Sequence, residues 1–161
     1  MDNPDQRTRT PAAEPGGTDT YEGDFHAWAA AQAALLRAGR LSELDAQHVA
    51  EEIEALGRRE RQELENRLAV LLLHLLKSSR QPERQGRSWL LTIEEQRRRL
   101  ARHLRDNPSL RAVQDEALAD AYGDAVLRAE LETGLLRDMF PWTCPYSFEQ
   151  VMNNEFWPGP G

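Results

Sequence analysis

Between residues 60 and 97 the chain places ionisable side chains where a helical core should be. Leu64, Leu68, Leu71 and Leu75 recur at helical spacing. Glu60, Arg67 and His74 run beside them at seven-residue intervals, a spacing that drifts only about 20° around a helix. A second helical run, Leu90, Ile93, Leu100 and Leu104, holds Arg97 inside its own apolar stripe. Ionisable groups on a core face are costly unless they are paired. The segment must therefore build either a functional interior site or a buried polar network that fixes helix register. Arg is permanently charged and presents a planar fork suited to a carboxylate. Arg97 is accordingly expected to reach Glu60 or Glu63, with Arg67 and His74 completing the network. Setting the register of a bundle is the plainer role. A functional role needs a water-accessible cavity lined by the same groups.

With 161 residues, 40% of them hydrophobic and 29% charged, the chain reads as soluble and globular, able to bury a core without disulfides. The longest apolar run, 68–76, is interrupted by His74 and is too short to span a bilayer, so no membrane association is expected. No basic segment followed by an apolar one opens the chain, so no signal peptide is expected. Cys144, the single cysteine, has no partner for an internal disulfide, which points to a reducing cytoplasm.

The net charge of −7 argues against a protein that simply coats nucleic acid. The charge is also blocked. Residues 43–65 hold eight acids against three arginines, and residues 80–105 hold eight arginines against three acids. The plain expectation is that the two blocks face each other, within one chain or across a dimer. An external acidic partner is the alternative.

Residues 1–19 are rich in Pro and Gly with almost no large apolar side chain, and a disordered tail is expected there. A single helical domain is expected over 20–161. Helix one is placed at 24–38, with Asp24 as N-cap, Gly39 as the residue after its end, and Phe25, Trp28, Ala29, Leu35 and Leu36 on one side. Helix two begins near Ser42 and continues through Val49, Ile53 and Leu56 to about Ser79, with a kink or break at Gly57. Its 68–76 stretch is apolar nearly all round and marks the central helix. Helix three spans about 88–106 and ends at Asn107-Pro108, which can also open helix four. Helix four carries Leu110, Val113, Ala117, Ala121, Ala125 and Ala129 as a stripe of mostly small residues and stops at Gly134. The aromatic C-terminal arm contains a short helix signalled by the Ser147/Gln150 capping box. The fold class is all-α: a four-helix bundle-like core with a short C-terminal helix and an aromatic arm.

Several stretches, in order, carry a resemblance. They are Glu51-Glu52-Ile53-Glu54-Ala55-Leu56-Gly57, Arg67-Leu68, His74-Leu75-Leu76-Lys77, Gln81-Pro82, Ser88-Trp89, Glu95-Gln96-Arg97, Asn107-Pro108-Ser109-Leu110 and Cys144-Pro145-Tyr146. The chain resembles the domain of unknown function 29 family over roughly 21–156. The resemblance implies an α-helical fold and a bacterial origin, and it implies no activity, substrate or catalytic residue. The chain departs from the family in placing Ser78, Ser79 and Arg80 after the lysine, where members carry aromatics.

Three chemistries remain to be weighed. Helical bundles bind metals through Glu and Glu-x-x-His pairs on facing helices. Here His48 and Glu52 share a face with Asp45 one turn earlier, and His74 is a further weak ligand candidate, but no Glu-x-x-His occurs. No other cofactor is expected. Arg98, Arg102 and Arg105 make the outer face of helix three basic enough to follow phosphates, yet overall acidity makes nucleic acid the lesser expectation. Cys144 has no histidine nearby in sequence and reads as a packing residue. The expectation is therefore a non-catalytic protein-interaction module that self-associates or binds a protein partner. A metal- or small-ligand-binding bundle, or an enzyme built on one, comes second, and a nucleic-acid accessory protein third.

Overall fold

The computed structural model describes residues 20–159, so the tail expected over 1–19 lies outside the described residues. The described residues are 20–54 in one compact unit and from Ala55 onward in a second. Helix α2 belongs in part to each. The chain is all-α, with no strand among the described residues.

In the first unit, α1 spans Phe25–Arg37. Asp24 caps it, its carboxylate accepting the Ala27 N–H at 2.9 Å. Gly39, just beyond the end, adopts a left-handed φ of 69°. Of the expected apolar cluster on α1 only Trp28 is buried, while Phe25 and Leu36 remain about half exposed. Helix α2, Ala46–Arg80, begins later than expected. Ser42 lies in a 3-10 turn, Leu41–Glu43, and Leu44 is extended. Asp45 takes the capping place because its carboxylate reaches the His48 N–H at 3.4 Å. The expected break at Gly57 is absent, and α2 continues through it as helix. A penalty of about 1 kcal/mol is small beside the helical turns on either side.

The second unit holds the main core. Leu64, Leu68, Leu71, Leu72, Leu75 and Leu76 of α2 are fully buried, each worth about 1.5–3 kcal/mol relative to exposure. Helix α3, Arg87–Asp106, buries Ile93, Arg97, Leu100 and Leu104 on one stripe. Asn107 closes it, and Pro108 opens a 3-10 turn, Pro108–Val113, rather than the first turn of the next helix. Helix α4, Gln114–Thr133, buries Ala117, Ala121, Ala125 and Ala129 and ends on Gly134 in left-handed conformation, φ 73°. The main core draws on α2, α3, α4 and the C-terminal segment. Helix α5, Phe148–Met152, forms behind the expected capping box, with both reciprocal bonds made.

The C-terminal arm is pinned at separate points. Tyr122 Oη donates to the Pro141 oxygen at 2.8 Å, and burial pushes its phenol up to about 12. Arg137 Nη1 donates to the same oxygen at 3.2 Å. Ser79 Oγ donates to the Gly159 oxygen at 2.9 Å. The strongest grip is that of Arg97.

Candidate functional site

Arg97 is 4% exposed and contacts neither Glu60 nor Glu63. Its Nε donates to the Val151 oxygen at 2.8 Å, Nη1 to Asn154 at 3.4 Å and Nη2 to Phe156 at 2.9 Å. The expected carboxylate pair is therefore replaced by main-chain carbonyls. The reason is the end of α5: the Val151 oxygen lies in its last turn, and those of Asn154 and Phe156 in the irregular segment beyond it, so none has a partner within a helix. Burial lowers the Arg97 pKa from its ordinary value, and its guanidinium lies 5.6 Å from the Trp157 ring centre.

The other members of the polar column find partners locally. Glu63 and Arg67 form an ion pair one turn apart on α2. Glu60 is exposed; its carboxylate accepts from Asn107 Nδ2 at 3.2 Å, and its backbone oxygen accepts from His103 Nε2 at 2.8 Å. His74 Nδ1 donates to the Val70 oxygen at 2.9 Å, and burial lowers its pKa. The column thus breaks into three separate arrangements. Arg97 makes a fourth, with partners that sequence reasoning did not anticipate.

In the first unit, Asp45 accepts at one oxygen from both Trp28 Nε1, 3.1 Å, and His48 Nδ1, 2.7 Å. The hydrogen bond to Asp45 raises the His48 pKa, and the His48 bond lowers that of Asp45. Tyr21 stacks on His48 with ring centres 4.2 Å apart and donates to Glu52 Oε1 at 2.6 Å. Tyr21, Trp28, Asp45 and His48 border an open cavity of about 550 Å³. Tyr21 and Trp28 were missed as site residues from the sequence. Tyr21, Phe25 and Trp28, spaced by four and three, were the signal available. Glu52 is engaged by Tyr21 rather than by His48, and no three His, Cys, Asp or Glu side chains gather as a metal-ligand group among the described residues.

The basic face of α3 is largely neutralised within its own helix. Arg98 pairs with Glu94 at 3.8 Å, Arg99 with Glu95 at 2.6 Å and Arg105 with Asp106 at 3.6 Å. Arg102 forms no ion pair among the described residues, and with Arg67, Arg99 and His103 it lines a small cavity of about 140 Å³. On α2, Arg61 pairs with Glu65 at 2.8 Å and reaches Glu116 and Asp120 of α4, both at 3.3 Å. Among the described residues of the second unit, no arginine of 80–105 pairs with an acid of 55–65, and the two blocks touch there through His103 and Glu60 at 3.7 Å. In the second unit four ion pairs join residues one turn apart on the same helix, an arrangement that costs less side-chain ordering than pairs between helices.

One apolar surface stands out. Leu127 and Leu131, one turn apart on α4, are 58% and 78% exposed, on the side away from the buried alanines. The 3-10 turn Arg137–Met139 packs back against α4, and Leu136 and Trp142 beside it are 67% and 81% exposed.

These features define an all-helical protein with a polar first unit and a leucine core closed by a clasped C-terminal arm. The chain belongs to the family described as Domain of unknown function DUF29, whose family model matches residues 20–157. No curated protein and no solved structure matches it. No helix among the described residues is long and apolar enough to cross a membrane.

Proposed function

We propose that the protein is a non-catalytic interaction module that associates with a second copy of its own chain through the outer face of α4. The observation that carries this reading is the exposed pair Leu127 and Leu131 on a helix whose opposite stripe is wholly buried. Such a face has no need of leucine for the fold of one chain.

A second copy suits the face because it is self-complementary. In an antiparallel pairing of two α4 helices centred on Ala129, Leu127 of each copy meets Leu131 of the other. Arg128 of each then falls opposite Glu130 of the other. A two-fold contact requires this reciprocity. Stable interfaces bury about 800 Å² per partner, so Leu136, Met139 and Trp142 extend the contact beyond the helix.

Light scattering across a dilution series of the full chain tests the reading. A mass of two chains is expected, falling to one chain in Leu131→Asp while helical circular dichroism is unchanged. A single-chain mass at every concentration, or a dimer untouched by Leu131→Asp, overturns it.

A further inference from the structure

Where α2 ends, the C-terminal arm roofs a cavity of about 360 Å³. The floor is Leu76, Ser79 and Arg80 of α2, and the roof is Phe156, Trp157 and Pro158. Tyr146, Gln150 and two prolines, Pro141 and Pro145, close the sides. The volume falls in the range of small-molecule sites.

The one charged side chain in the lining of this cavity is Arg80. No Asp or Glu lines it. Arg80 forms no ion pair and no side-chain hydrogen bond among the described residues, unlike Lys77 one turn earlier, which pairs with Glu132 at 2.6 Å. The side-chain oxygen of Gln150 accepts the Ser147 N–H at 2.9 Å, which leaves its amide N–H groups free to donate. Burial raises the Tyr146 pKa above its ordinary value, so its phenol, hydrogen-bonded to Ser79, keeps its proton at neutral pH. The walls between these donors are apolar and aromatic, and Tyr146 meets Phe156 edge-on at 5.4 Å between ring centres.

The cavity is also held in shape. Pro141 is fixed by Tyr122 and Arg137, Gly159 by Ser79, and the arm at Val151, Asn154 and Phe156 by Arg97. Walls already ordered cost little further entropy when a ligand enters.

We infer that this cavity binds a small organic monocarboxylate with an aromatic or compact apolar body, its carboxylate on Arg80 and its body between Tyr146, Phe156 and Trp157. A planar guanidinium matches a carboxylate through two parallel hydrogen bonds. One cation balances one negative charge, which favours a carboxylate over a phosphate dianion. This site is separate in its residues from the α4 face, and neither reading depends on the other.

The test is a heteronuclear NMR titration of the full chain with phenylacetate, its neutral isostere phenylacetamide, and phenyl phosphate. Saturable shifts at the amides of Arg80, Tyr146 and Trp157 are expected with phenylacetate at millimolar concentration. Affinity should fall by at least about tenfold with phenylacetamide and in Arg80→Met, the loss typical of one charge-assisted pair. Arg84→Met, which removes an exposed arginine nearby, should bind as the parent does. Arg80→Lys keeps the charge and loses the fork, and should fall between the two. Equal binding of the amide, undiminished binding by Arg80→Met in a spectrum that is otherwise native, tighter binding of phenyl phosphate, or no saturable shift at these residues would each overturn the assignment.

Discussion

Arg97 Nε donates to the backbone oxygen of Val151 across 2.8 Å, joining α3 to α5 over a separation of fifty-four residues. Replacing Arg97 by Met keeps most of the apolar stem and removes all three donors. The Val151, Asn154 and Phe156 oxygens then lose their partner. Stability should fall by on the order of 3 kcal/mol, read as a lower urea midpoint. Trp157, which lies over the guanidinium, should change its fluorescence in the native state. An unchanged midpoint would mean that the clasp contributes nothing.

Two histidines should titrate on opposite sides of the ordinary value of 6.5. Burial lowers the folded pKa of His74, so the unfolded chain takes up the proton first as pH falls. The stability due to neutral His74 is complete above pH 6.5 and declines as pH drops through the lower folded value. His48 has the reverse sign. Its hydrogen bond to Asp45 raises the folded pKa, so its contribution is complete below pH 6.5 and is lost as pH climbs through the folded value. Imidazole NMR titrations of the parent, of His74→Gln and of His48→Gln assign the two curves among those of the four histidines. The opposite order would contradict the placement of both rings.

Gly57→Ala should stabilise the protein. Helix α2 is regular at Gly57, its φ is not positive, and an added Cβ would meet nothing within 4 Å. The gain should be about 1 kcal/mol, seen as a rise of a few degrees in the melting temperature. A fall in melting temperature would point instead to a local distortion of the helix.

Ala125→Leu should do the opposite. Ala125 is fully buried in the small-residue stripe of α4, and extra methyl groups there must displace the neighbouring helix. Overpacking of this kind costs about 1–3 kcal/mol. Ala125→Gly, tested beside it, separates steric crowding from helix propensity.

What the sequence disclosed followed the range of each signal. Asp24, Gly39, Gly134 and the Ser147/Gln150 pair act on a backbone three or four residues away, so their roles are written locally. The alanine stripe and the 68–76 core are likewise periodic and visible. The break at Gly57 was overpredicted because one residue's propensity was set against many residues' hydrogen bonds. Arg97 was correctly placed as a buried charge, but its partners were not. Carboxylates announce themselves in a sequence, whereas main-chain carbonyls are everywhere and only topology decides which are exposed. The cavity over Arg80 was hidden for the same reason: its walls come from segments more than sixty positions apart.

The choice of carbonyls as partners for Arg97 has a further consequence. A carboxylate partner would be neutralised as acid is added, whereas an amide oxygen takes up no proton in the same range, and a guanidinium gives none up. The closure of the arm is therefore built from groups without a protonation step. An ion pair to a carboxylate weakens on acidification, but the clasp keeps its full set of charges and dipoles. Buried, it is also screened little by salt. The arm should be among the last parts of the second unit to come loose in acid or brine.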